Sequence, residues 1–226
     1  MLDWLRAFAQ EYGLILGQGT AETLYMVAGA LVFSYLLGLP LGVLVTVTGP
    51  KGIRPNRVTG GVAQWIVGLG RSIPFVILMI ALIPLTRLVV GTSIGPTAAI
   101  VPLVIGAAPF VARMVESSLE EIDHGVIETA QAMGATVWQI ICKVYLPEAV
   151  PSLVRGCSIT AITLIGYSAM AGTVGGRGLG DIAIRYGYHR YEYDVMLVTI
   201  LLLVVLVQLI QGLCNQLARR MDKRNR

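Results

Sequence analysis

The sequence predicts an all-α integral membrane protein with five transmembrane helices. Of its 226 residues, 55% are hydrophobic and 13% are charged, and the mean hydropathy is +0.74, which lies outside the range of soluble globular proteins. The charged residues are segregated, and the apolar stretches between them are long enough for the ~20 residues that cross a bilayer as a helix. The predicted spans, within a single domain covering 1–226, are residues 20–48, 58–86, 92–116, 149–172 and 195–218.

The positions of lysine and arginine predict the orientation of these spans. The loop 51–57 has three basic residues and no acid, and the segment 219–226 has five basic residues and one acid. Basic loops remain in the cytoplasm, so both segments are assigned to that side, with four spans between them. The amino terminus is then predicted outside and the carboxyl terminus in the cytoplasm. The first twenty residues lack a signal-peptide pattern, so the first span is expected to stay in the mature protein.

A polar segment between the third and fourth spans, residues 120–147, is predicted to be a cytoplasmic helical insert. Residues from about Ile122 to Met133 favour a helix. Gly134 follows at the position where a left-handed turn costs least. The first helix of the insert is therefore expected to end at this glycine.

A second short helix is predicted directly after that turn. Thr136 and Gln139 have the spacing of a capping box, and Pro147 is expected to end the helix because a proline disfavours α geometry in the residue before it. Two short helices at an angle either dock in the groove of a partner or fold on the protein's own surface. The spacing alone leaves both interpretations open.

The insert resembles the EAA motif of ABC importer permeases, which reads Glu-Ala-Ala, three residues, Gly, nine residues, Ile, any residue, Leu-Pro. Thr129 and Val144 stand where Ala and Ile are usual. In that family the segment is a coupling helix that docks on a separate ATPase subunit, and the resemblance implies the same role here. The residues assigned to this contact are Glu128, Ala130, Gly134, Ala135, Leu146 and Pro147.

Other strings closely resemble the permease of methionine ABC importers, among them residues 71–75, 83–87, 90–95, 106–110, 112–116 and 166–170. This resemblance runs from about Glu22 to the end of the sequence and implies a multi-pass permease subunit of the bacterial inner membrane. It implies a translocation path for methionine, in both L- and D-forms. The implied partners are a second copy of the chain, an ATPase dimer, a methionine-binding periplasmic protein or lipoprotein, and membrane lipid. The sequence has no ATPase motif, so ATP and magnesium are expected on the partner ATPase, and no cofactor, metal site or enzymatic activity is expected in this subunit.

Arg71 is one candidate residue of the translocation path. It interrupts the span 58–86 shortly before Pro74, and an arginine within a span is costly. Such a residue either contacts the substrate or has a structural role. The structural interpretation is an ion pair with an acid such as Glu116, or snorkelling toward the headgroups.

The fourth span supplies the other candidates for the path, because Tyr167, Ser168 and Met170 lie among small residues there. A methionine side chain adapts its shape to its neighbours. Met170 and Phe75, each meeting its copy across a two-fold axis, are predicted to form an apolar gate. Ordinary helix packing is the alternative.

The connection between the fourth and fifth spans is predicted to be an extracytoplasmic loop of about twenty residues, which is long for a simple connection. Its glycine-rich string 175–180 follows a transmembrane segment rather than a strand, so a nucleotide-binding loop is rejected. Arg177 departs from the glycine-and-alanine-like stretch of the permeases that the chain resembles. The charged residues of the loop either form a solvated rim or dock a binding protein; they are Asp181, Arg185, Glu192 and Asp194.

Other classes of protein fit the sequence less well. Nucleic-acid binding is rejected although the net charge is +4, because the basic residues lie at membrane edges. A secondary transporter is expected to have acidic residues within its spans, and a channel does not need a bent insert. Within ABC importers, a permease for another small amino acid or a peptide is the alternative.

Two smaller features of the sequence concern its cysteines and a pair of glycines. Cys142, Cys157 and Cys214 are odd in number and far apart, so they are interpreted as ordinary thiols rather than as a disulfide or zinc site. Gly38 and Gly42 have the spacing of a close helix contact. Pro40 lies between them, so a helix kink is an equal explanation.

Overall fold

The computed structural model describes residues 2–221, and most of these are helical. The predicted all-α class is confirmed. In chain order the α-helices are α1 (Leu2–Thr48), α2 (Arg57–Ser72), α3 (Phe75–Ala81), α4 (Ile83–Val90), α5 (Pro96–Glu120), α6 (His124–Ala132), α7 (Val137–Ile140), α8 (Leu146–Gly172), α9 (Gly178–Ile182) and α10 (Tyr193–Met221). Two π-helical segments accompany them: Ile141–Tyr145 before α8 and Ala183–Tyr188 after α9.

Among residues 2–221, four stretches of helix are long and apolar enough to cross a membrane, and there are five if α2 and α3 together count as one broken span. This agrees with the predicted number of spans. The first helix begins at Leu2, so the predicted span 20–48 is the second part of a longer helix. The predicted orientation stays a prediction. The four stretches are Arg6–Thr48, Pro96–Glu120, Val137–Gly172 and Tyr193–Met221.

The predicted span over residues 58–86 is interrupted by a helix break in the structure. The α2 helix ends at Ser72, and α3 begins at Phe75. Ile73 is extended, with φ −86° and ψ 124°, because the ring of Pro74 disfavours α geometry in the residue before it. Pro74 has no N–H to continue the helical hydrogen bonds, so the helix breaks at this proline.

The prediction that Pro147 ends a short helix is wrong. Leu146 remains helical, with φ −65° and ψ −46°, and helix continues from α7 through the π-helical segment into α8. The N–H of Leu146 donates to the carbonyl of Ile141, five residues back. This wider π turn accommodates the proline ring next to the preceding carbonyls, where a regular α-helix brings the two into conflict.

The chain forms two compact units. One contains the residues up to 31 together with 74–104 and 161–210, and the other contains 32–73, 105–160 and the residues from 211 onward. In the first unit a buried apolar cluster joins the beginning of α1 to α9 and α10. Its buried members are Leu16, Leu179, Ile182 and Val195.

In the second unit, α1 lies close against α5 at two glycines. A Cβ atom on Gly38 would lie 2.7 Å from the carbonyl oxygen of Ala108, and one on Gly42 would lie 2.5 Å from that of Ala112. The α1 helix continues through Pro40 without a break. The close helix contact therefore explains this pattern of small residues, and no break is present at the proline.

Candidate functional site

The predicted insert consists of two helices joined by a left-handed turn, as the sequence predicts. Gly134 has φ +77°. The N–H of Gly134 donates to the carbonyl of Gln131 at 2.9 Å, and the N–H of Ala135 donates to that of Ala130 at 3.1 Å. These are the two hydrogen bonds of a Schellman motif, which satisfies the last carbonyls of α6.

Side-chain caps begin both helices of the insert. The Asp123 side chain accepts a hydrogen bond from the N–H of Gly125 at 2.7 Å and begins α6. The predicted capping box begins α7: the N–H of Gln139 donates to Thr136 Oγ1 at 3.3 Å, and the N–H of Thr136 donates to Gln139 Oε1 at 2.8 Å. Caps of this kind stabilise a helix by about 1 kcal/mol each, so the starting residue of both helices is well defined.

The inner side of the insert is buried in the core of its unit. Ile127 of α6, Ile140 of α7 and Tyr145 of the π-helical segment are each at most 5% exposed. Three of the residues assigned to coupling, Ala130, Ala135 and Leu146, are partly buried against the same cluster. The insert is therefore not a free loop. The cluster that holds it includes Val47, Val111, Val115, Leu119 and Ile122.

The outer side of the insert carries large apolar side chains. Met133 is 82% exposed, Trp138 is 73% exposed and Val126 is 47% exposed. They lie on both sides of the Gly134 turn. The sequence interpretation missed them because it favoured the small residues of this segment, although a tryptophan in a polar insert was a signal that could have found them. Exposed large apolar groups of this kind indicate a contact surface. Glu128, Gly134 and Pro147 are exposed as well.

The proposed gate residues occupy three different environments. The rings of Phe75 and Tyr167 stack with centroids 4.3 Å apart and planes at 3°, and Phe75 is buried. The Ser168 hydroxyl is buried and donates to the carbonyl of Ile165 at 2.8 Å, so it is engaged within its own helix. Met170 is 44% exposed. The structure thus brings Phe75 and Tyr167 together within one chain and leaves Met170 at the surface, and the gate stays a prediction.

Arg71 is exposed in the last turn of α2. The ion pair suggested for it with Glu116 is wrong, since Glu116 is paired with Arg113 at 2.6 Å. These two residues are three positions apart on α5, so their side chains lie on the same face of that helix. Arg71 is left as an exposed cation at the helix break.

The connection after α8 has the predicted length of about twenty residues, and it contains helical segments of its own. The α9 helix and the π-helical segment Ala183–Tyr188 occupy its middle part. Asp181 and Arg185, four residues apart, form an ion pair at 2.8 Å. The glycine-rich string serves close packing, because Gly180 lies against the backbone of Ala169.

The described residues hold no group of three or more His, Cys, Asp or Glu side chains placed to bind a metal ion. Cys142, Cys157 and Cys214 are all free thiols. Cys142 is exposed, and the other two are partly buried.

Comparison with known proteins identifies the family. A family model described as the binding-protein-dependent transport system inner membrane component matches residues 38–223. The chain belongs to this family. It is therefore a multi-pass inner-membrane permease, as the motif resemblance implied, and a transport subunit rather than an enzyme.

The permease has relatives of known name. It is 54% identical over 217 residues to the probable D-methionine transport system permease protein MetI of Vibrio cholerae, covering 96% of each chain. It is 54% identical over 158 residues to the D-methionine transport system permease protein MetI of Escherichia coli K12, covering 70% of this chain and 73% of the relative.

Solved structures agree with this assignment of the permease. An inward-facing structure of the MetNI methionine ABC transporter matches with a TM-score of 0.93 and 50% identity, covering 94% of this chain and 99% of that chain. The structure of an amino acid ABC transporter with histidines matches with a TM-score of 0.76 at 20% identity, covering 93% and 95%. The second likeness shows a shared fold alone.

Proposed function

We propose that this permease forms the membrane path of a methionine importer that is driven by a separate ATPase. Relatives that are 54% identical are named as methionine transport permeases, which supports methionine as the substrate. The observation that carries the proposal is the insert, which is anchored in the core on one side and exposes apolar side chains on the other.

The exposed side of the insert is suited to dock on the ATPase subunit. Trp138 and Met133 offer large apolar surfaces on either side of the Gly134 turn, and aromatic side chains of this kind contribute much of the binding energy at interfaces. Glu128 adds an exposed carboxylate. The short helix α6 and the capped start of the long helix that begins with α7 then present these groups on either side of the turn, as helix-in-groove recognition requires.

The buried side of the insert is suited to transmit movement. Ile127 and Tyr145 pack into the cluster that contains Val111 and Leu119 of α5. Close-packed side chains transmit displacement because they have little room to yield. When ATP binding closes the ATPase dimer, the insert moves with it and displaces this core. Hydrolysis then returns the path to its resting state.

The assembly requires two copies of this chain, two ATPase subunits and an extracytoplasmic methionine-binding protein. ATP and its magnesium ion are held by the ATPase subunits. The stacked Phe75–Tyr167 pair and the exposed Met170 form the apolar gate together with their copies across the dimer axis. We assign Ser168 to helix packing, since its hydroxyl donates a hydrogen bond to the carbonyl of Ile165 in the same helix. Arg71 contacts either the second copy of the chain or the passing substrate.

Reconstitution into liposomes tests the proposed function. The complex of permease and ATPase, together with its binding protein, is expected to accumulate labelled methionine only when ATP is present inside the vesicles. Uptake without ATP would contradict the importer and indicate a secondary transporter. Faster uptake of another amino acid or a small peptide, each with a matching binding protein, would replace methionine as the substrate.

A further inference from the structure

A cavity of about 390 Å³ lies in the first unit between α1 and the segment that follows α8. Its lining contains two carboxylates, Glu22 and Asp181, and two guanidinium groups, Arg177 and Arg185. Three isoleucine side chains complete one part of the wall: Ile15, Ile94 and Ile182. The cavity thus combines equal numbers of positive and negative groups with an apolar patch.

The two ion pairs of this cavity differ in closeness. Arg185 and Asp181 are 2.8 Å apart and satisfy each other. Arg177 and Glu22 are 3.8 Å apart, which is beyond hydrogen-bond distance. Glu22 Oε2 accepts the N–H of Gly178 at 3.0 Å, which holds the carboxylate in place, while Oε1 faces Arg177. Both members of this looser pair retain capacity for a further charged partner.

The backbone of Arg177 is unusual for an arginine. Its φ of 61° and ψ of −158° fall in a region that is occupied almost only by glycine and that costs another residue about 1–3 kcal/mol. The neighbouring residues Gly176 and Gly178 are glycines, so an arginine is the exception in this string. The strain is compatible with a function for the guanidinium, whose side chain is 62% exposed at the cavity.

We infer that this cavity, the Arg177 cavity, binds the zwitterion of an apolar α-amino acid. The carboxylate of the amino acid contacts Arg177, its ammonium group contacts Glu22 Oε1, and its side chain lies on the isoleucines. The inference rests on the proposed function for the choice of methionine as the ligand. The arrangement fits a zwitterion better than an anion or a cation, because the loosely held pair of Arg177 and Glu22 offers one group of each sign.

The size of the cavity agrees with this ligand. A volume of about 390 Å³ is within the usual range for small-molecule sites and is ample for one amino acid. Guanidinium and carboxylate groups form the strongest hydrogen bonds to charged ligands, and the apolar patch accounts for a preference for methionine over short polar amino acids. Weak binding is expected, since the cavity is open and Arg177 is more than half exposed.

Photo-crosslinking tests the Arg177 cavity directly. Photo-methionine, the diazirine analogue of methionine, is irradiated with the purified permease–ATPase complex in nanodiscs without binding protein. Mass spectrometry then locates the labelled residues. Label is expected in the segments around Ile15 and Ile182, and methionine is expected to compete for this label.

Competitors that lack one charge separate the roles of the two side chains. Methionine methyl ester has no carboxylate and N-acetylmethionine has no ammonium group, so each is expected to compete at least about tenfold less well than methionine. The R177G variant is expected to lose the discrimination against the ester, and E22Q the discrimination against the N-acetyl form. The matched control is R190Q, which removes an exposed arginine of the same unit that does not line the cavity.

Two results would overturn the inference: label outside these segments only, or full discrimination by both variants. The location of label in the unaltered protein does not depend on the stability of any variant. ATP-driven methionine uptake by the same preparation decides the proposed function independently. Uptake with no label at the Arg177 cavity rejects this inference alone, and absence of uptake rejects the proposed function.

Discussion

The turns at Gly134 and Arg177 share a positive φ and differ in almost everything else. Gly134 is a glycine with φ +77°, and a Cβ atom there would meet nothing within 4 Å. Arg177 is a non-glycine residue with φ 61° that lies beside a charged cavity. The first turn has an unstrained backbone and exposed apolar neighbours, whereas the second has a strained backbone and charged neighbours.

This difference separates two kinds of recognition. Exposed side chains such as Met133 and Trp138 suit a protein partner, since a large apolar contact is stabilised by exclusion of water. A cavity whose lining carries balanced charges, here Glu22 and Arg177, suits a small ligand that must be fixed in orientation. A residue with positive φ occurs at both places, and the surrounding side chains determine whether the site suits a protein partner or a small ligand.

Replacement of Gly134 by valine is expected to have the largest effect. A β-branched residue at this φ costs about 1–2 kcal/mol, which reduces the population of the correct turn roughly tenfold. ATP-driven methionine uptake in liposomes should fall by on the order of tenfold, while the amount of folded permease stays similar because the site is open. Gly134→Asn, which tolerates the left-handed conformation, is the control. Wild-type uptake by the valine variant would contradict the coupling role.

Replacement of Trp138 by alanine tests the exposed side of the insert. The affinity of the permease in nanodiscs for the ATPase subunit should fall by about fivefold, as expected for the loss of roughly 1 kcal/mol from an interface aromatic. Thermal unfolding of the permease should not change, since the side chain is 73% exposed. Trp138→Phe should retain most of the affinity. Equal affinity of the alanine and wild-type proteins would place the ATPase contact elsewhere.

Replacement of Met170 by alanine tests the predicted gate. Loss of about 0.5–1 kcal/mol of apolar contact from the closed state should raise ATP hydrolysis in the absence of methionine by roughly twofold to fivefold. Met170→Leu, which keeps the apolar volume, should behave like the wild type. An unaltered basal rate in Met170→Ala would favour ordinary packing at this position.

The Arg177→Gly replacement is expected to leave transport largely unchanged and to raise stability. Relief of backbone strain should exceed the entropy lost with glycine, and the exposed, loosely held ion pair contributes little. The free energy of unfolding should rise by about 1 kcal/mol, measured by thermal unfolding in detergent. Arg177→Ala is the control, since it removes the guanidinium and keeps the strain. A decrease in stability with glycine would show that Arg177 is structural.

Local signals predicted the insert well. The Gly134 turn and the capping box of Thr136 and Gln139 depend on neighbouring residues alone, so their geometry follows from sequence spacing. The family motif supplied the rest of the assignment. Docking of the insert on an ATPase depends on a partner chain and remains a prediction.

Helix breaks, ion-pair partners and long-range contacts were predicted less well. Pro74 breaks a helix and Pro147 does not, because a π turn precedes Pro147 and sequence spacing does not reveal it. Glu116 has its partner three residues away in Arg113, so the distant pairing with Arg71 was unnecessary. The Arg177 cavity joins residues 156 positions apart, as the Gly178–Glu22 hydrogen bond shows, and no local pattern indicates such a contact.

The π-helical segment Ile141–Tyr145 determines which way the insert's Trp138 faces relative to the start of α8. A π turn holds one residue more than an α turn, so it rotates the preceding helix by about 100° relative to an uninterrupted α-helix. Trp138 lies just before this segment, and the first turn of α8 lies just after it. Deletion of one residue here would remove the π turn, bring the ring of Pro147 into conflict with a preceding carbonyl, and rotate the tryptophan by about a quarter of a circle. The number of residues in this segment therefore sets how far the contact face of the insert is rotated about the helix axis.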